Sequence, residues 1–125
     1  MRLLLDTHVL LWWLANDPKL GEEAKARISD PKSSVFVSAA TVWEISIKRA
    51  LGKLEVPSDL LSQLELNRFQ PLSVTISHAY AAGALPRHHD DPFDRMLVAQ
   101  AIKESLVLLT ADPRIKQYGV EVLRV

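Results

Sequence analysis

The stretch Asp90-Asp91-Pro92-Phe93-Asp94-Arg95-Met96-Leu97-Val98-Ala99-Gln100-Ala101, followed by Leu106-Val107-Leu108-Leu109, decides the fold class. Its first part reads as a helix start. Asp91 suits the capping position, Pro92 the first helical position, and Asp94 the first turn near the positive end of the helix dipole. Leu97, Val98, Ala101 and Ile102 then form an apolar stripe, so one face of the helix is expected to be buried. Asp94 lies three and four residues before Leu97 and Val98, so it heads that stripe. Leu106 to Leu109 is apolar without alternation, as a strand covered on both faces must be.

Working outward, the same pairing recurs. Leu3-Leu4-Leu5 reads as a first buried strand, with a helix from Asp6-Thr7 through Leu14 that Asn16-Asp17-Pro18 breaks. Gly21 to Ile28 reads as a short polar helix with Ala24 and Ile28 inward. Ser34 to Val37 is a second strand, Ser38 a cap, and about Ala40 to Leu51 a helix closed by Gly52. Pro57-Ser58-Asp59 opens a helix with Leu60, Leu61 and Leu64 on one side. A weak strand at Phe69 to Val74 contains Pro71, and a helix from Ser77 to Leu85 precedes the loop Arg87-His88-His89-Asp90. A final strand is expected over Val120 to Val125. Strands alternating with helices and no hairpin signal mean an α/β fold, a parallel sheet with helices on both faces.

Composition sets the outer limits. The 125 residues suit one domain with its own core, and 48% hydrophobic content excludes a disordered chain. Fifteen basic and fifteen acidic side chains cancel, so any nucleic-acid contact must come from a local patch and not from bulk charge. The absence of cysteine removes disulfides, thiolate metal sites and thiol nucleophiles. Residues 1–5 are too short for a secretory signal, and no apolar run has membrane length, so a soluble cytoplasmic protein is expected.

In a parallel sheet the site lies beyond the carboxyl ends of the strands. Asp6 is the first residue past the first strand and Asp112 the third past Leu109. Glu44 and Asp94 sit near the starts of helices that leave the same edge. Glu44 shares a stripe with Ala40, Ile47 and Leu51, a slot where the periodicity asks for an apolar side chain. Its ordinary explanation is a partner for an Arg or Lys. Two carboxylates about 4 Å apart repel by about 4 kcal/mol at an effective dielectric of 20. Converging acids therefore spread, protonate or bind a cation. Oxygen donors without cysteine select a hard ion, Mg²⁺ or Mn²⁺, suited to hydrolysing phosphodiesters.

Leu3 to His8, Ser38 to Glu44, His89 to Ala101 and Leu108 to Asp112 resemble the motif blocks of the PIN-domain ribonucleases, in particular the VapC-like toxins of bacterial toxin–antitoxin pairs. The resemblance runs over almost the whole chain. It implies a PIN-like three-layer α/β/α fold, Mg²⁺- or Mn²⁺-dependent RNA cleavage, a homodimer and a cognate antitoxin. The family's catalytic, metal-holding acids carry over onto Asp6, Glu44, Asp94 and Asp112, with Asp91 a further acid in the same block.

Around these, Thr7 and Thr110 are candidates to orient the acids. Arg95 is placed either on phosphate or against Asp91, and His88 and His89 either in a solvated loop or along an RNA path. Lys48, Arg49 and Lys53 form the most basic local cluster, an RNA patch or a solvated helix face. Trp12 and Trp13 are core or interface, and an interface on the first helix is expected. Two other readings share some of these features. A receiver-like phosphoacceptor wants two adjacent acids early and a Lys after a late strand, whereas Asp6 stands alone and no Lys follows Leu109 until Lys116. A non-catalytic binding module would use the acids as caps, which Glu44 does not fit.

Overall fold

The computed structural model describes residues 1–125 as a five-stranded parallel sheet between two layers of helices. The strands are β1 (Arg2–Leu5), β2 (Ser34–Ser38), β3 (Gln70–Leu72), β4 (Val107–Thr110) and β5 (Val122–Arg124). The helices are α1 (Thr7–Ala15), α2 (Glu22–Ser29), α3 (Ala39–Ala50), α4 (Leu60–Leu66), α5 (Ile76–Ala84) and α6 (Pro92–Glu104), with a 3₁₀ turn at Ile115–Tyr118. The sheet runs β3-β2-β1-β4-β5, every neighbouring pair parallel. The chain thus builds outward from β1 to β3, then crosses back to place β4 on the other side of β1.

β1 is the axis of both cores. Leu3 and Leu5 face a cluster with Val9, Leu10, Ala24, Ile28 and Ile45 from the first three helices, while Leu4 faces Leu97, Val98, Ala101 and Leu108. All three leucines are wholly buried. A strand with both faces covered can have no polar alternation, which is why Leu3-Leu4-Leu5 reads as a continuous apolar run.

The caps expected at Ser38 and Asp91 are present, and Asp6 caps α1 as well. Asp6, Ser38 and Asp91 accept from the free N–H groups of Val9, Ala40, and Phe93 with Asp94. The expected third strand shrinks to Gln70–Leu72 at the sheet edge, where Pro71 can lack a donor.

Three apolar assignments need correction. Ile102 is exposed, because α5 packs along α6 and turns the buried arc toward Ala99 and Gln100, whose amide reaches the Ser73 carbonyl. Leu51 lies past the end of α3 and Leu61 on the outer side of α4, so both face solvent. The Arg95 side chain makes no hydrogen bond to Asp91, whose carbonyl accepts only the Arg95 backbone N–H. Its guanidinium donates to the carbonyls of Ala82, Leu85 and Pro86, closing the C-terminus of α5.

Candidate active site

Reversing the winding direction at β1 leaves a crevice beyond the carboxyl ends of β1 and β4, the position where open α/β sheets bind ligands. Leu5 is registered with Leu109, and the Asp6 N–H donates to the Leu109 carbonyl at 3.1 Å. Asp6 therefore emerges into this crevice, and Asp112 follows two residues after β4. The cleft above them is about 560 Å³ and is lined by Asp6, Asp91, Asp94 and Asp112, with His8, Trp12 and Arg114 at its margin.

Each acid has a different environment. The Asp6 carboxylate is buried and caps Val9 at 2.8 Å. Burial pushes its pKa up, opposed by the Thr110 hydroxyl and the Val9 N–H. Glu44 is also buried but stands behind the lining of the cleft, on α3. It accepts from the Thr7 hydroxyl at 2.5 Å and from Lys48 Nζ at 2.5 Å, one helical turn on. Its ordinary explanation as a partner for a lysine is thus realised, and its charge also helps to raise the pKa of Asp6 and Asp94. Lys48 is drawn into the site wall, and its pKa is raised by this hydrogen bond.

Asp112 takes a two-pronged contact from Arg114, whose Nε reaches Oδ1 at 3.1 Å and Nη2 reaches Oδ2 at 2.9 Å. Arg114 holds the Asp112 carboxyl well below the usual carboxylate range. The Thr110 hydroxyl accepts from the Asp112 N–H, so both threonines orient acids. Asp94 has no comparable cation. Burial first, then the negative field of Asp91, pushes its pKa up to about 7, with Asp6 and Glu44 adding in the same direction.

His89 is where sequence reasoning fell short. It does not lie in a solvated loop. It is buried, with Nε2 2.7 Å from Asp112 Oδ2 and 3.1 Å from Asp94 Oδ2. His88 does face solvent, edge-on to Tyr118. Arg114 was also missed, although its place two residues after Asp112 is a spacing that lets a guanidinium fold back onto the acid. Arg49 and Lys53 are exposed. Trp12 and Trp13 are half-buried against the first core, and Trp13 donates to Asn67 Oδ1 at 2.9 Å, so α1 does not present a free aromatic pair.

A sequence profile of the PIN domain matches residues 3–121. The chain belongs to the PIN-domain family. This PIN domain is 30% identical over 118 residues to Ribonuclease VapC22 of Mycobacterium tuberculosis, covering 92% of this chain and 90% of that protein. Its fold is similar to a chain of VapBC2 from Rickettsia felis, solved bound to a promoter DNA fragment. The TM-score there is 0.74 at 14% identity, over 100% of this chain and 99% of the other. A chain of a toxin–antitoxin complex from Klebsiella pneumoniae matches with a TM-score of 0.68 at 18% identity, over 96% and 94% of the two chains. At such identities the two structures speak for the fold alone. No helix of this PIN domain is long and apolar enough to cross a membrane.

The raised pKa of Asp94 has a measurable consequence. Its native value of about 7 lies above the unfolded value of about 3.9, so between them the native state holds the proton that the unfolded state has released. In EDTA the protein should therefore lose stability as pH rises from about 4 to about 7, and Asp94→Asn should remove this component. Asp112 contributes oppositely, and only in acid, because its pKa is lowered. Urea melts at pH 4.5 and 7.5 check this; identical pH slopes for the wild type and Asp94→Asn would contradict it.

Proposed function

We infer that the chain is a metal-dependent endoribonuclease, the toxin of a toxin–antitoxin pair. Membership of the PIN family and the 30% identity to a VapC ribonuclease along most of both chains support the ribonuclease assignment. The likeness to chains from VapBC and toxin–antitoxin complexes supports an antitoxin partner. The observation that carries the chemistry is the placement of Asp94 in the cleft at the switch point of the sheet, beside Asp91 and Asp112, where burial first and the neighbouring acids second push its pKa up to about 7.

The donor set fits a hard divalent cation. Arg114 offsets Asp112 and Lys48 offsets Glu44, whereas the field of the acids at Asp94 has no cationic side chain to match. Asp6, Glu44, Asp94 and Asp112 are the residues that would hold Mg²⁺ or Mn²⁺. When bound, such an ion supplies Lewis-acid polarisation of a phosphoryl oxygen and activation of water. The protein's own residues orient and bind. Thr7 and Thr110 fix the Glu44 carboxylate and the Asp112 backbone. Arg49, Lys53 and the exposed His88 remain the candidates for RNA backbone contacts, with Lys48 committed to Glu44. The absence of a membrane-length helix is compatible with action in the cytoplasm.

We place the contact of a homodimer on a different face from the one expected on α1. Trp43 is 64% exposed on α3 beside Phe93 of α6, above an apolar groove that also includes Val74 and Met96. Ile76 and Tyr80 of α5 are exposed as well. Indole surface left in water on a small domain favours a second copy covering it. Trp43→Glu should convert a dimer to a monomer in sedimentation while leaving the fold of the single copy intact by circular dichroism, because in one copy the side chain is mostly solvated. A dimer unchanged by the substitution would contradict this placement.

Asp94→Asn should abolish Mg²⁺-dependent RNA cleavage and leave the fold intact. The amide keeps the size of the side chain, and α6 retains its Asp91 cap. What is lost is negative charge facing the cation. A variant that melts earlier than the wild type yet cleaves RNA at the wild-type rate would overturn the assignment.

A further inference from the structure

His89 is the site residue whose surroundings fix the position of its hydrogen. Its Nδ1 accepts the backbone N–H of Asp91 at 3.1 Å. A ring nitrogen that accepts carries no proton, so the hydrogen of the neutral imidazole lies on Nε2. Nε2 faces carboxylate oxygens of Asp112 at 2.7 Å and Asp94 at 3.1 Å, both acceptors. The ring cannot easily reverse these roles. Asp91 is itself anchored as the cap of α6, and the His89 carbonyl accepts from Arg95 Nη1 and the Tyr118 hydroxyl.

The three side chains could instead be read as a nitrogen-and-oxygen metal site, since their ligating atoms lie within 4.8 Å of one another. Coordination through Nε2 needs a lone pair there. The hydrogen would then have to move to Nδ1, where it would point at the N–H of Asp91. The backbone thus opposes the ligand role and favours the donor role.

We propose that His89 is a positioning residue whose Nε2–H is a fixed donor, holding the Asp112 and Asp94 carboxylates side by side without entering the coordination of the cation. The proposal rests on the metal-dependent reading of the site. It gives the Asp91 N–H a function beyond its place at the helix start, as the group that selects the imidazole tautomer.

The test uses the full chain labelled with ¹⁵N-histidine, with His89 assigned by loss of its signals in His89→Gln. Without metal, the expected spectrum has a bare Nδ1 and a protonated Nε2, and saturating Mg²⁺ leaves the Nε2–H in place. A metal-free ring protonated at Nδ1, or an Nε2–H lost on adding Mg²⁺, would overturn the proposal. Calorimetric titrations with Mg²⁺ and with Mn²⁺ supply a second arm. His89→Ala should weaken both ions by a similar factor, about tenfold or more, and His89→Gln, whose amide N–H can reach the same acceptors, should recover most of it. If His89→Gln instead lost Mn²⁺ far more than Mg²⁺, the nitrogen would be a ligand and the proposal wrong. The metal-free spectrum decides the tautomer by itself, so a wild-type protein that bound neither ion would contradict the metal-dependent function and be distinguishable from failure here.

Discussion

The site depends on mutual repulsion among carboxylates that the sheet does not allow to separate. Asp6 is tied to β4 through its own backbone N–H, and its side chain is committed to Val9. Asp94 is fixed to the first turn of α6 by the Asp91 cap and by Leu97 and Val98, which are buried under the sheet. The backbone positions of both acids are thus set by elements that carry part of the core. At an effective dielectric near 20, unit charges about 4 Å apart cost about 4 kcal/mol, a large fraction of the stability of a small domain.

The surrounding polar groups distribute this cost unevenly. Glu44 is satisfied by Thr7 and Lys48, and Asp112 by Arg114 and His89. Each of those acids has a charged or hydrogen-bonding partner suited to its ionised form. Asp94 is left with the remaining field, and its affinity for a proton is the visible result. A buried carboxyl that holds a proton near neutral pH, with negative neighbours adding to the effect of burial, is also a group that exchanges that proton for a cation. Structure and chemistry meet at this one carboxyl.

Much of this was legible in the sequence, for physical reasons. Leu3 to Leu5 and Leu106 to Leu109 have no polar alternation, and only burial on both faces tolerates that. Glu44 announced itself by occupying an apolar slot, and its burial among α3 residues follows. The caps at Asp6, Ser38 and Asp91 are local events that depend on a few neighbouring residues. What could not be read depended on long-range packing. Which side of α6 is buried is set by α5, so Ile102 was misassigned while Gln100 went unnoticed. His89 looks like a loop residue until β4 places Asp112 beside it, twenty-three positions away. Arg95 caps α5 only because the α5–α6 connection doubles back over it. Trp12 and Trp13 suggested an interface by their apolarity, but the half-buried environment of both and the Asn67 partner of Trp13 appear only in three dimensions.

Cation binding coupled to proton release tests the central claim most directly. Calorimetric titration of Mg²⁺ at pH 7, repeated in two buffers of different ionisation enthalpy, counts protons expelled per ion. With Asp94 titrating near 7, about half a proton should leave its carboxyl at that pH, falling toward zero by about pH 9, and Asp94→Asn should lose that release. Binding at pH 7 with no proton released, or the same release from Asp94→Asn, would contradict the account.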